Sequence, residues 1–349
     1  MIGYLNNQEK NECRKLWEEA FPDDSRAFID YYFSEKVKDN RILVLREDAE
    51  IAAMLHLNPY RINVRGQVWD SDYIVGVATR RDKRRKGYMG RLLKHMMREL
   101  VEEGMPFCFL MPAAAAIYEP YNFVYIYDQP AWSIRSEYAA PGVLERRLLP
   151  PGGSWTSNRT YVASIAEWMN RWLAHRYQVY ARRDENYLKR LMKEIASENG
   201  SFSVLYDGGL VAGYQGEWGT IRSEQRLLMC EPQYVRLDSE KPVIMARIVC
   251  LKQFVRAIRL KKEAVEKQPE VVIPICVADP LIPENNGSFN WHLNEQTSWL
   301  EPGMDETTGT IFTIGELTEW LFGYRYPKAA EQYLDVVDVL NGVFLDEVV

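Results

Sequence analysis

A basic run closing on a glycine, Arg80-Arg81-Asp82-Lys83-Arg84-Arg85-Lys86-Gly87, lies between apolar Val75-Gly76-Val77-Ala78-Thr79 and the amphipathic stretch opening Tyr88-Met89-Gly90-Arg91-Leu92-Leu93. The apolar segment reads as a strand and the amphipathic stretch as a helix, so the run delivers the chain to a helix N-terminus. Amides there have no intrahelical acceptor, and the helix dipole favours an anion. Gly87 and Gly90 remove side chains where a phosphate would approach the backbone, and Arg84, Arg85 and Lys86 add positive charge beside it. The chemistry indicated is the seating of a nucleotide pyrophosphate. Charge alone would fit a solvated helix cap; the strand before and the helix after select the anion site. Neither a Walker loop nor a Gly-x-Gly-x-x-Gly fingerprint occurs.

The elements that must hold this loop can be read around it. Residues 11–20 and 25–37 predict helices split by Phe21-Pro22-Asp23-Asp24, with Asp24 as the cap of the second. Residues 42–45 and 51–57 predict a hairpin, and 73–79 a strand entering the basic loop. The helix over 88–103 stops at Gly104 with Pro106 beyond, and the apolar run over 107–112 predicts a strand buried on both faces. A helix start over 113–121 and a strand over 123–127 complete an α/β layer fold.

After a connector rich in Pro and Gly at 138–153 the plan repeats, with helices over 165–177 and 184–195 and a hairpin pairing 202–205 with 210–218. A long helix over 242–264 is expected in the place of the one over 88–103. No Arg-x-x-Gly loop precedes it, so the second copy reads as a scaffold without the anion site. From about Glu270 the character changes to strands over 271–277, 289–293 and 310–313, a turn-dense loop Asp279-Pro280-Leu281-Ile282-Pro283-Glu284-Asn285-Asn286-Gly287, a helix over 314–322 and another from 329.

The chain's 349 residues exceed one ordinary core, which favours two or three domains. A net charge of −6 and a pI near 5.5 oppose a nucleic-acid binder and suit a cationic substrate steered by an acidic cleft. Five scattered cysteines form no disulfide framework, and Cys108 and Cys276 read as buried reduced thiols. Four scattered histidines have no metal spacing, so no metal is expected. The polar N-terminus and the lack of a run of ~20 apolar residues predict a cytoplasmic protein without membrane association.

Arg84-x-x-Gly87 resembles the phosphate loop of the GNAT acetyltransferase superfamily, Arg/Gln-x-x-Gly-x-Gly/Ala. Met89 stands where that pattern has a small residue, with Gly90 displaced by one. This departure is similar to the enhanced intracellular survival (Eis) subgroup, whose Arg-rich loop is followed by two large residues. Ile117-Tyr118-Glu119-Pro120-Tyr121-Asn122-Phe123, the loop-less second copy and the segment from Asp279 resemble the same family. The resemblance implies two tandem GNAT-like domains, the second degenerate, and a sterol-carrier-like α+β domain, over residues 1–137, 138–268 and 269–349.

It also implies roles. Acetyl-CoA would be the co-substrate, with Val77, Ala78 and Thr79 giving backbone contacts to the acetyl and pantetheine portions. Arg84, Arg85, Lys86, Gly87, Tyr88, Met89 and Gly90 would hold the pyrophosphate, and Ala113 and Ala114 would line the pantetheine through backbone alone. Tyr118 would be the general acid: a phenol of pKa about 10 can donate to a departing thiolate of about 8.5. The carboxylate at Val349 would be the base, its apolar run-up burying it. The implied activity is direct acetyl transfer to a primary amine of a small, polycationic acceptor, by a homo-oligomer such as a hexamer. A non-catalytic protein binding acyl-CoA and an apolar ligand is the alternative, and transfer of a longer acyl group is a third reading.

Overall fold

The computed structural model describes residues 1–140, 143–219, 224–303 and 309–347. The N-terminal part comprises β1 (Ile2–Tyr4), α1 (Arg14–Ala20), α2 (Arg26–Glu35), β2 (Arg41–Glu47), β3 (Glu50–Val64), β4 (Gln67–Thr79), α3 (Tyr88–Glu102), β5 (Phe107–Leu110) and β6 (Val124–Ile134). The cap of α2 is Ser25, whose Oγ accepts from the Phe28 amide at 3.0 Å; the expected cap, Asp24, instead accepts from Trp17 Nε1 at 2.7 Å. α3 buries Leu92, Leu93, Met96, Met97 and Leu100, a stripe at helical spacing, against the inner residues of β2 and β3. It ends at Gly104, whose φ of 70° lets the Met105 amide bond back to the Leu100 carbonyl at 2.9 Å. The helix expected over 113–121 is two 3₁₀ turns, Ala115–Ile117 and Glu119–Tyr121. Pro120 inside the segment withholds the amide a longer helix needs.

The middle part contains β7 (Glu145–Leu148), α4 (Arg159–Ala174), β8 (Val179–Ala181), α5 (Glu185–Ser197), β9 (Ser201–Asp207), β10 (Leu210–Trp218), β11 (Glu224–Cys230) and β12 (Val235–Ile248). β9, β10 and β11 form an antiparallel meander, as β2, β3 and β4 do, so the helix, helix and three-strand plan occurs twice. The second copy is degenerate: a single 3₁₀ turn, Pro232–Tyr234, separates β11 from β12, where the first copy has the basic loop and α3.

The long helix expected over 242–264 is absent. Its first part is the end of β12, which inserts between β5 and β6 and pairs antiparallel with both; beyond it only the short pieces Leu251–Phe254 and Lys262–Val265 are α-helical. The unbroken apolar run Val243-Ile244-Met245-Ala246 carries no period of its own, and the two open strand edges of the first copy decide its state. Two further segments join the same nine-stranded sheet: β8 pairs with β3 at Ile62, Asn63 and Val64, and Val343–Phe344 pairs with β8. The expected segment 1–137 is therefore not a closed unit, because strands from beyond residue 137 complete its sheet.

The C-terminal part is a four-stranded sheet in the order Ser298–Pro302, Gly287–Asn294, Glu270–Ala278, Thr310–Thr313. Helix Ile314–Leu321 follows, opened by a capping box of Thr313 and Glu316. The segment from 329 is the 3₁₀ turn Lys328–Tyr333. Trp291, Trp320 and Phe312 pack inside this part. No helix among the described residues is long and apolar enough to cross a membrane.

Candidate active site

β4 pairs in parallel with β5 only at Asp72, Tyr73 and Ile74. Val75 to Thr79 run on without a partner on that side, so the two strands open a wedge. On the other edge, Met54 pairs with Ala78 and His56 with Val75, which leaves Gly76 and Val77 opposite Leu55 alone. This is a β-bulge: the extra residue is left out of the ladder, and an amide so released can serve as a donor. Gly76 makes the bulge possible. Its φ is 60°, and a Cβ there would lie 2.4 Å from the Trp17 ring. Sequence reasoning passed over Gly76, although an isolated glycine in a strand pattern is the usual sign of a bulge.

The chain then enters the basic loop. Arg80 pairs with Glu50 and Asp82, and Lys83 with Glu47 at 2.7 Å, so these two cations are spent on the loop's own structure. Arg84 folds back, its Nε donating to the Thr79 carbonyl at 3.2 Å. Arg85 (φ 64°) and Lys86 are exposed and form no ion pair among the described residues. Gly87 caps α3 at φ 74° with nothing near its missing side chain. The first helical bond runs from the Arg91 amide to the Gly87 carbonyl at 3.1 Å, so the amides of Tyr88, Met89 and Gly90 have no intrahelical acceptor.

Gly90 has a packing reason to be small as well. A Cβ there would sit 2.3 Å from the Tyr121 hydroxyl, so the residue makes room for an aromatic side chain and reaches the loop by its amide alone. Met89 packs partly buried on the α3 core. The displaced spacing thus has a packing cause: the small position is the one that faces Tyr121.

Tyr118 lies at the end of the first 3₁₀ turn, buried, with its ring edge-on to Phe123 at 6.0 Å. Burial pushes its phenol up to about 12. Ala113 and Ala114 are exposed in the connection after β5. The loop, the bulge and Tyr118 are therefore held by one sheet and one helix. Val349 lies outside the described residues.

The tail nevertheless has a defined approach. Asp346 and Glu347 are buried, and Arg183 donates to both, to Glu347 Oε1 at 2.5 Å. The Tyr187 hydroxyl donates to Glu347 at 3.1 Å, and Arg226 holds the Asp346 carbonyl at 2.9 Å. Glu347 lines a cavity of about 480 Å³ bounded by β3, the start of β4, α5 and the turn after α2. Tyr60 and Tyr73 meet edge to face at 6.1 Å between this cavity and the core, and the Tyr73 phenol is raised by burial, with Glu347 and Tyr118 both acting on it. Sequence reasoning named none of Tyr73, Arg183 and Glu347. Their proximity arises from the pairing of β8 with β3, a long-range contact with no local signal.

His95 pairs with Glu99 one turn on, as a surface residue of α3. Among the described residues no group of three His, Cys, Asp or Glu side chains could hold a metal ion.

Residues 2–126 match the family model described as an acetyltransferase (GNAT) domain, and residues 251–341 match a sterol carrier protein domain. The fold is shared along the chain's length with solved structures of low identity. A conserved protein of unknown function from Enterococcus faecalis V583 aligns with a TM-score of 0.75 at 15% identity, covering 98% of this chain and 93% of its own. A GCN5-related N-acetyltransferase from Anabaena variabilis ATCC 29413 gives 0.71 at 15%, covering 97% and 94%. Eis1 from Mycobacterium abscessus gives 0.71 at 13%, covering 99% of both chains. A comparison with curated proteins finds no match. With an acetyltransferase (GNAT) domain, a degenerate second copy and a C-terminal sterol carrier protein domain, this chain is an acyltransferase.

Proposed function

We propose that the protein transfers the acetyl group of acetyl-CoA to a primary amine of a small molecule by direct attack. The observation that carries this reading is the wedge between β4 and β5, which opens beside the unpaired first-turn amides of α3 and the free cations Arg85 and Lys86. An extended thioester with a pyrophosphate at its far end suits that shape. The pyrophosphate would meet Arg85, Lys86 and the α3 amides, and the pantetheine would follow Val77, Ala78 and Thr79 on one side and Ala113 and Ala114 on the other.

The amine nitrogen attacks the thioester carbonyl carbon, and the oxyanion that forms is met by an amide of the bulge. Collapse of the tetrahedral species breaks the carbon–sulfur bond and expels the thiolate toward Tyr118. With its phenol near 12, outright proton transfer to a thiolate of conjugate-acid pKa ~8.5 would run uphill by roughly 5 kcal/mol. Tyr118 therefore acts by donating a hydrogen bond to the leaving sulfur, and the thiol takes its proton from water afterwards. The proton shed by the attacking nitrogen leaves on the cavity side, where Glu347 stands.

The test is release of free coenzyme A thiol on mixing protein, acetyl-CoA and a panel of amines that includes diamines, amino acids and an aminoglycoside. Amine-dependent release is expected. Binding of acetyl-CoA without release for any amine would favour the non-catalytic reading, and faster release from a longer acyl-CoA would replace acetyl as the group transferred.

A further inference from the structure

The cavity that Glu347 lines carries as many cations as carboxylates, yet its carboxylates are the more fully paired of the two. Its carboxylates are nearly all committed. Asp39 pairs with Arg190, Asp72 with Arg41 and Glu194 with Arg226, each at 2.6 Å, while Glu347 is held by Arg183. Asp184 caps α5 by accepting from the Tyr187 amide at 2.8 Å. The cations left over are Lys36, Arg61 and Arg182, none of which forms an ion pair among the described residues. Asp70, directly across the strands from Arg61, and the capping Asp184 are the lining carboxylates without an ion pair among the described residues, two against three.

Lys36 is the unusual member. It is 8% exposed, yet among the described residues its ammonium has one hydrogen-bond partner, the Tyr60 hydroxyl at 3.2 Å. An ammonium taken out of water with a single neutral acceptor is costly, and burial pulls its pKa below the ordinary lysine value. Glu194 and Glu347 act on it from a distance, but each is already paired with its own arginine. The side chain faces a cavity of about 480 Å³, within the range of small-ligand sites. An anionic group entering there would supply the missing acceptor.

Resting on the acetyl-transfer reading above, we infer that the acceptor amine also bears a carboxylate, seated by Lys36 with Arg61 and Arg182 at the mouth of the cavity. The substrate class is thus a free amino acid or a similar zwitterion and not a polycation. The amine end would point inward past Tyr60 toward Tyr73, which stands two residues before the wedge opens at Val75. Glu347 would face the ammonium, and the cations would face the carboxylate, so one cavity orients both ends.

The experiment compares acceptor pairs that differ only in the carboxylate: L-lysine against cadaverine, and L-ornithine against putrescine. In the parent protein kcat/KM for each amino acid is expected to exceed that of its diamine by at least ~10-fold, the worth of about one charge-assisted hydrogen bond. Lys36→Met should shrink that ratio by a similar factor, and Arg182→Gln, an exposed change that spares the core, should shrink it less. Diamines that match or outrun the amino acids in the parent would overturn the inference, as would a ratio unchanged in Lys36→Met. Calorimetry of L-lysine and cadaverine against the protein loaded with coenzyme A separates the two layers. Tighter lysine binding with no turnover for any amine would remove the transfer reading and keep the carboxylate seat; equal binding would remove the seat.

Discussion

Arg247 and Asp279 face each other with neither side chain exposed, the guanidinium Nη2 reaching both carboxylate oxygens at 2.7 and 2.8 Å. The same guanidinium donates to the Tyr121 carbonyl at 2.8 Å, three residues after Tyr118. The sterol-carrier-like part thereby fixes β12, and β12 fixes the 3₁₀ turns that carry Tyr118. Asp279→Ala would leave the Arg247 charge buried and unpaired, a loss of about 3–5 kcal/mol. Asp279→Asn keeps one acceptor and is expected to lose about 1–3 kcal/mol. Denaturant unfolding of both variants checks the order, and equal stability of parent and Asp279→Ala would show that the pair does not hold the two parts together.

Gly90 and Tyr121 form a second test of the site's packing. Gly90→Ala is expected to cost about 1–3 kcal/mol through overpacking and to raise the KM for acetyl-CoA by tilting the first turn of α3. Removing the hydroxyl in a Gly90→Ala/Tyr121→Phe pair should recover most of that loss, because the nearest remaining ring carbon is 3.3 Å away. A double-mutant cycle reads the coupling directly; additive losses would mean that Gly90 is small for the sake of the phosphate after all.

His56 predicts a pH dependence of stability. It is fully buried against Trp17 and Tyr32, its Nδ1 3.1 Å from the Tyr32 hydroxyl, and burial holds its pKa at about 3. The unfolded chain takes up a proton as pH falls through ~6.5, whereas the folded imidazole stays neutral until about 3. Between those values the unfolded state binds the extra proton, so stability present above ~6.5 falls by up to ~1.4 kcal/mol per pH unit. His56→Phe should flatten that slope in unfolding measured at a series of pH values. Identical slopes for parent and variant would contradict it.

Much of the first copy was legible because its signals are local. The stripe Leu92, Leu93, Met96, Met97 and Leu100 sets α3, Gly104 stops it, and the basic loop marks an anion site by composition. What was not legible depends on pairing across the chain. Val243 to Ala246 become a strand only because β5 and β6 leave a gap for it, and Glu347 becomes a cavity residue only because Val343–Phe344 extends the sheet through β8. Gly90 illustrates a third case: its presence was legible, but its reason lies in Tyr121, a residue on another segment.

Turnover of Tyr118→Phe alongside the parent tests the central claim most directly, with coenzyme A thiol release followed at saturating acetyl-CoA. The account predicts amine-dependent release by the parent and a kcat lower by roughly 10²-fold in the variant, with acetyl-CoA affinity little changed, because the lost hydrogen bond is one made to the leaving sulfur. Since the phenol stays protonated to about 12, the two pH profiles should keep the same shape between ~6 and ~9. An unchanged kcat in Tyr118→Phe would contradict the role given to Tyr118, and absence of amine-dependent release by the parent would contradict acetyl transfer itself.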